Sequence, residues 1–475
     1  MRTAYDPTGA RPHRPLLDRH VGLVAVLVVL AAWAAAGGRA PNLAAVAVLA
    51  AVTAALAARR HGAGVGLLLA VAIIGAGASS ARSWRAARPD RLGPFAGWVT
   101  VVSDPVPIRG GTGVVVEVEG QRFQVHGFGS IGRRLARLDA GVLVRVVGER
   151  GPLTGPHPRR LVARHVVGEL DLDLVGDARP GAPVARASNR VRALLRRGAE
   201  RAMSADDAAL FTGLVIGDDT RQSAELVADF RAAGLSHLTA VSGQNVAFTL
   251  AIAGVVLRRL PRWWRLATTL GVIAWFAVLT RLEPSVLRAA AMASLSAVSF
   301  AIGRERSPPR LLALAVIVLV VVDPFLVWSV AFWLSTGATV GVTVIAPVLE
   351  HRLRGPEWLV PAVAVTVGAQ LGVAVPSWLV FHRLPAVGLV ANLLAVPVAG
   401  IVMLLGIPTG LVAALVPEVV ARVVLAPAAL GTRWVAVVAQ LAARVEPHGV
   451  AAVAAWSFQA AVLLVLWGRS TRTMP

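Results

Sequence analysis

Residues 234–248 read GLSHLTAVSGQNVAF and open an apolar run long enough to enter a membrane. Six side chains break its hydrophobic character: Ser236, His237, Thr239, Ser242, Gln244 and Asn245. Polar groups in lipid are costly unless they face a protein interior or a water-filled path. The stretch therefore predicts a membrane-embedded helix that carries a site or lines a conduit. His237 and Gln244 are about two helical turns apart and share a face if the helix is continuous.

The composition agrees with a membrane setting. The chain has 475 residues, 56% of them hydrophobic and only 15% charged, with a mean hydropathy of +0.68. A soluble domain carries about a quarter charged residues. Apolar runs of roughly 18 residues recur, which predicts a polytopic α-helical membrane protein. There is no cysteine, so disulfides, thiolate metal sites and cysteine nucleophiles are excluded. All 47 basic residues are arginine and the net charge is +21, a balance that suits nucleic acid or lipid headgroups.

Catalytic patterns are absent from the sequence. The ten histidines form neither H-x-H-x-D-H nor H-E-x-x-H, and there is no Walker A sequence. No metal, cofactor or enzymatic activity is expected. A serine hydrolase built on Ser242 and His237 would lack both the G-x-S-x-G turn and an orienting acid.

Outward from the opening stretch, four regions are expected. Residues 1–80 hold three apolar segments near 20–36, 42–58 and 63–79. The first follows an Arg-bearing stretch as a signal peptide would, but two more segments follow at once, so a retained helix is expected. Arg2, Arg11, Arg14, Arg19, Arg59 and Arg60 place the N-terminus in the cytoplasm and residues 81–180 outside it. Residues 81–180 contain some five short β-prone runs separated by turn chemistry, which fits a small β-barrel of OB-like type. Residues 181–204 form an amphipathic helix with Val191, Leu194, Leu195 and Ala199 on its apolar face. Residues 205–470 are mostly apolar, and their Gly and Pro interruptions predict broken helices around a cavity.

Two further motifs carry polar groups into this last region. Glu283-Pro284-Ser285-Val286-Leu287-Arg288-Ala289 places Arg288 a turn inside a helix, where a cation needs a carboxylate (Glu283 or Asp323), backbone carbonyls or a polyanion. Asp323-Pro324-Phe325 marks a helix boundary, and Phe332-Trp333-Leu334-Ser335 follows it. Asn392 reads as interhelical glue, and the thirteen tryptophans as an interfacial belt.

The stretch 234–248 resembles the GLSHLLAVSGLHV signature of ComEC-type competence proteins, with Gln244-Asn245 where that family has LH. Gly213-x3-Gly217-Asp218, the PSVxRA-like 284–289, the DP…FxLS-like 323–335, Gln370 and the run around Asn392 extend the resemblance in order. It implies an OB-like domain and a channel for single-stranded transforming DNA. Ser236, His237, Ser242, Gln244, Asn245 and Arg288 would line or gate the passage. Asp218, Glu283, Asp323, Ser335, Gln370 and Asn392 would be structural partners. Arg109, Arg122, Arg133, Arg134, Arg159 and Arg160 would capture DNA by phosphate contacts. Membrane lipids, a DNA receptor, a separate nuclease and a cytoplasmic motor would be partners, with a homo-oligomer left open. Only eight residues follow Trp467, so the nuclease domain of many relatives is not expected in this chain. The alternative is a secondary transporter of a small anionic solute or lipid.

Overall fold

The computed structural model describes residues 18–36, 40–154, 161–239, 243–304, 306–382 and 384–466. Seven of its helices are long and apolar enough to cross a membrane, and four shorter apolar helices accompany them. The chain is a mostly helical, multi-pass membrane protein with a small sheet domain. Two compact units emerge, residues 1–87 with 307–327, and residues 88–306 with 328–475.

In the first unit, helices α1 (Asp18–Ala34), α2 (Ala40–His61) and α3 (Ala63–Ala86) pack with the later helix Pro308–Val322. Small residues let backbones approach: a Cβ on Gly66 would lie 2.6 Å from the Ala54 carbonyl oxygen. Ser80 Oγ donates to the Ala32 carbonyl at 2.6 Å, and Trp84 meets Phe325 edge-on at 5.5 Å. Asp323 ends the Pro308–Val322 helix, its carboxylate accepting the Phe325 N–H at 3.1 Å.

The second unit begins with six strands: β1 (Gly93–Val101), β2 (Val106–Ile108), β3 (Gly111–Val118), β4 (Gln121–Phe128), β5 (Leu143–Pro152) and β6 (Val166–Arg179). Their order is β1-β5-β6-β4-β3-β2, and β1 pairs with β3 as well. All pairings are antiparallel except β4–β6. Alternation along the strands sends Val99, Val101, Val114, Val116, Phe123, Val125, Val144 and Val146 into one apolar core. The short helix α4 (Gly129–Leu135) closes one end of that core with Leu135.

Helix α5 (Pro183–Ala202) follows, and its Leu195 and Ala199 are buried as expected of an apolar face. It lies on the long helix Gly388–Leu415 so closely that a Cβ on Gly198 would sit 2.3 Å from the Gly410 carbonyl oxygen. Leu195 and Phe211 fill the adjoining space above Gly410.

The chain does break around Pro385, between helices ending at Phe381 and beginning at Gly388, but four other prolines break nothing. Pro376, Pro397, Pro408 and Pro427 all lie inside continuous helices, Val360–Phe381, Gly388–Leu415 and Glu418–Val445. Each proline removes one helical hydrogen bond, yet in hydrocarbon the remaining backbone groups have no better partner than their own helix. Residues 388–415 consequently form one helix that runs through both Pro397 and Pro408.

A departure from α geometry falls elsewhere. Between the helices Val330–Val340 and Ala346–Arg352 the chain makes a π-helical turn, Gly341–Ile345. That turn starts where two G-x-x-x-G pairs cross, Gly337 and Gly341 against Gly368 and Gly372. A Cβ at any of the four would come within 2.0–2.7 Å of a facing carbonyl oxygen. Gly341→Leu should destabilise the chain by about 1–3 kcal/mol, the usual range for overpacking. Gly254→Leu, at a position with open space around it, should not. Melting midpoints in detergent compare the two, and equal midpoints would remove the crossing as a stability element.

Candidate functional site

Arg288 sits in the helix Pro284–Ala301 and is 6% exposed. Its Nε donates to Ser335 Oγ at 2.8 Å, and its Nη1 lies 3.3 Å from the Met292 sulfur. Glu283, the helix N-cap, makes no ion pair with it, and among the described residues no carboxylate does. The expectation of a Glu283 or Asp323 counter-ion therefore fails. Glu283 lies one residue outside the helix, more than a turn from Arg288, and Asp323 serves the turn at Phe325. Of the expected partners only Ser335 meets the guanidinium.

The third motif joins them. A Cβ on Gly243 would lie 2.8 Å from Arg288 Nη2 and 3.0 Å from the Ala289 Cβ, so the guanidinium occupies the place of a side chain there. Gly243 belongs to the helical residues Gly243–Leu257, and Ser236–Thr239 are helical too. Residues 240–242, on which a shared face for His237 and Gln244 depends, lie outside the described residues. Both side chains are exposed, as is Ser236. Ser242 lies outside the described residues.

Asn245 is turned the other way. It is buried, and its Nδ2 donates to the Leu214 carbonyl at 2.9 Å, at the end of the helix Ala205–Ile216. That clasp ties the Gly213-x3-Gly217 motif to the opening stretch. Asn392 donates to the Gly388 carbonyl at 2.6 Å, and Gln370 Nε2 lies 3.2 Å from where a Gly388 Cβ would be. Gly234, at φ 71°, packs on Pro385 and the Gly388 Cα. The two amides and Gly234 thus converge on the start of the Gly388–Leu415 helix.

Asp218 belongs to a second, ionic cluster between the sheet domain and the helical core. It is 1% exposed and accepts from Arg196 Nε at 2.5 Å and Thr220 Oγ1 at 2.7 Å, with Arg192 Nη2 at 3.3 Å. Arg192 also reaches Asp104 at 2.9 Å and the Leu279 carbonyl at 3.1 Å. Arg281 grips Asp104 with two hydrogen bonds, 3.0 and 2.8 Å, and Asn189 with a third at 2.8 Å. Burial alone would raise the Asp104 and Asp218 carboxyls, but the adjacent guanidiniums outweigh it and hold both below their ordinary value.

Asp104, Arg192, Arg196 and Arg281 carry no motif. One signal was present: Arg192 shares the stripe of Leu195 and Ala199, at spacings of three and seven. A cation on an apolar stripe implies a buried counter-charge.

The capture arginines do not form one patch. Arg109 and Arg133 are exposed near the Gly111↔Phe128 end of the β3–β4 pair. Arg134 there donates to the Val175 carbonyl. Arg122 pairs with Glu117 at the other end, about 20 Å away at strand rise, and reaches the Arg164 carbonyl at 3.5 Å. Arg159 and Arg160 lie outside the described residues. Unforeseen at the first end is Phe128, 57% exposed, its ring lying across Gly111. Among the described residues no group of three or more His, Asp or Glu is placed to hold a metal ion.

The protein of Escherichia coli K12 described as uncharacterized protein YcaI is 29% identical over 208 residues, 40% of this chain. The match spans only 27% of that relative's length. No solved structure matches the chain. A family model described as "Competence protein" matches residues 214–473, which hold Asn245, Arg288 and Ser335. That is more than half of the molecule, and the chain belongs to the competence protein family.

Proposed function

We propose that this chain is a membrane channel component that carries single-stranded transforming DNA across the cytoplasmic membrane. The observation that carries the reading is Arg288, a buried guanidinium in a membrane-crossing helix with no carboxylate partner among the described residues. An unpaired cation at that depth recruits an anion, and a guanidinium matches phosphate oxygens in geometry and charge. Ser335 holds its Nε, and the glycine at 243 leaves room for its Nη2.

The sheet domain supports a nucleic-acid partner independently. With β2 set aside, the pairings run β1-β3-β4-β6-β5-β1, and the β4–β6 pair is parallel. This is the strand order of an OB-type barrel, a frequent scaffold for single strands. Exposed Phe128, at the strand end next to the turn that carries Arg109, supplies the combination of ring and cation on which unpaired bases stack. The reading keeps the N-terminus cytoplasmic and the sheet domain outside. Exposed His237 and Gln244 face the passage, and a separate motor, nuclease and DNA receptor act with the chain.

Labelled single-stranded DNA titrated onto the full chain in zwitterionic nanodiscs tests this. Affinity should fall with salt, at a slope of about −0.7 per phosphate contact in a plot of log K against log salt. Phe128→Ala with Arg109→Gln should weaken binding by about tenfold, near one stacked base at ~1–3 kcal/mol. Absence of binding at low salt would end the nucleic-acid reading. Binding of small organic anions alone would favour a transporter.

A further inference from the structure

The antiparallel hairpin of helices Arg262–Leu279 and Pro284–Ala301 has two very different ends. One is the turn at Arg281, held to Asp104 of the sheet domain. The other lies about 27 Å away, the length of an 18-residue helix and close to the hydrocarbon thickness of a bilayer. At that far end Arg265 stacks on Phe300 at 4.6 Å, which brings the chain around 258–265 beside the chain around 300–306.

Six arginines fall within these two stretches: Arg258, Arg259, Arg262, Arg265, Arg304 and Arg306. From Arg231 to Leu282 the sequence has no acidic residue, and among the described residues none of the six is in an ion pair. Glu305 lies outside the described residues. Trp263 and Trp264 stand among them, 64% and 69% exposed, and Arg262 lies over the Trp263 ring at 5.3 Å. On the membrane side of this ring of charge, Val255, Val256 and Phe300 are exposed as well.

We propose that this end is a binding site for the headgroup of an anionic phospholipid, on the membrane face opposite the sheet domain. Guanidiniums fork onto the headgroup phosphate, the two indoles seat at the headgroup level, and the valines and Phe300 meet the acyl chains. That layering, charge beyond indole beyond aliphatic surface, matches a lipid along its whole length. A nucleic acid would use the arginines and indoles but has nothing to lay on exposed valines. Arginine excess on this face also agrees with a cytoplasmic leaflet rich in anionic lipid.

The test uses the full chain in nanodiscs of phosphatidylcholine alone or with phosphatidylglycerol. The wild-type melting midpoint should rise with phosphatidylglycerol. In a variant carrying Arg258→Gln, Arg259→Gln, Arg262→Gln and Arg304→Gln, at least half of that rise should be lost. Arg109→Gln with Arg133→Gln, on the sheet domain, should keep it all. Because the chain has no cysteine, Ile302→Cys, at a position 48% exposed at this end, places one dye beside the site with all its proposed contacts intact. Phosphatidylglycerol with a quencher in its headgroup should quench that dye at least threefold more than the matching phosphatidylcholine. Equal quenching and an undiminished rise in the arginine variant would overturn the assignment. So would displacement of the labelled lipid's effect by single-stranded DNA, which would make the surface a nucleic-acid site.

Discussion

Asp218→Ala should lower the stability of the full chain by about 3–5 kcal/mol, the usual result of removing one partner from a buried ion pair. The carboxylate is 1% exposed and holds Arg196 and Thr220 directly. Arg192 beside it is also buried and would keep one carboxylate, Asp104, with the Leu279 carbonyl. Asp218→Asn preserves shape but not charge and should fall almost as far. The pH dependence follows from the direction of the shift. In the folded chain both Asp104 and Asp218 are held below the ordinary 3.8. Their contribution is therefore complete above that value and is lost as pH falls through the lowered ones. Wild type should lose stability steeply on acidification below about pH 4, and Asp218→Ala should show a shallower acid limb. Melting midpoints across pH decide it. A variant within about 1 °C of wild type at neutral pH would show that the cluster is not a structural tie.

Arg288→Ala should have the opposite balance of effects. DNA entry into vesicles or transformable cells should fall about a hundredfold, corresponding to about 3 kcal/mol for a buried, charge-assisted phosphate contact. Stability should hold or rise, because no carboxylate is orphaned by the change and a desolvated cation is removed. Arg288→Lys keeps the charge without the planar fork and should lose about tenfold. Two measurements on the same variants, uptake and melting midpoint, separate the outcomes. Unchanged uptake at normal protein level would remove Arg288 from the passage. A large fall in stability would make it a packing residue.

The helical membrane architecture and the β-rich insert were legible because periodicity and apolar length are local properties. The meeting of Gly243, Arg288 and Ser335 was not, although each lay in a recognisable motif, since nothing local states which helices adjoin. The four prolines inside helices misled for a physical reason: in water a proline ends a helix, in hydrocarbon the helix has nowhere better to go. The paired G-x-x-x-G crossing was written in the sequence but becomes meaningful only when the two helices are known to face each other. The ionic cluster was least accessible. Asp104 lies in a turn 177 residues from Arg281, and only Arg192, misplaced on its apolar stripe, hinted at it.

Arg281 and Leu282 adopt φ of 61° and 56°, left-handed values that cost a non-glycine residue about 1–2 kcal/mol each. Their turn is held in shape by Asp104, a residue of the sheet domain. The sheet domain is consequently not a detachable module. A deletion of residues 88–180 would take away the clasp, release the turn, and disturb the helix that begins at Pro284 and carries Arg288. Loss of transport in such a truncation would therefore not isolate a capture function. A graft or deletion that respects this dependence must also relieve the turn, for instance with Leu282→Gly.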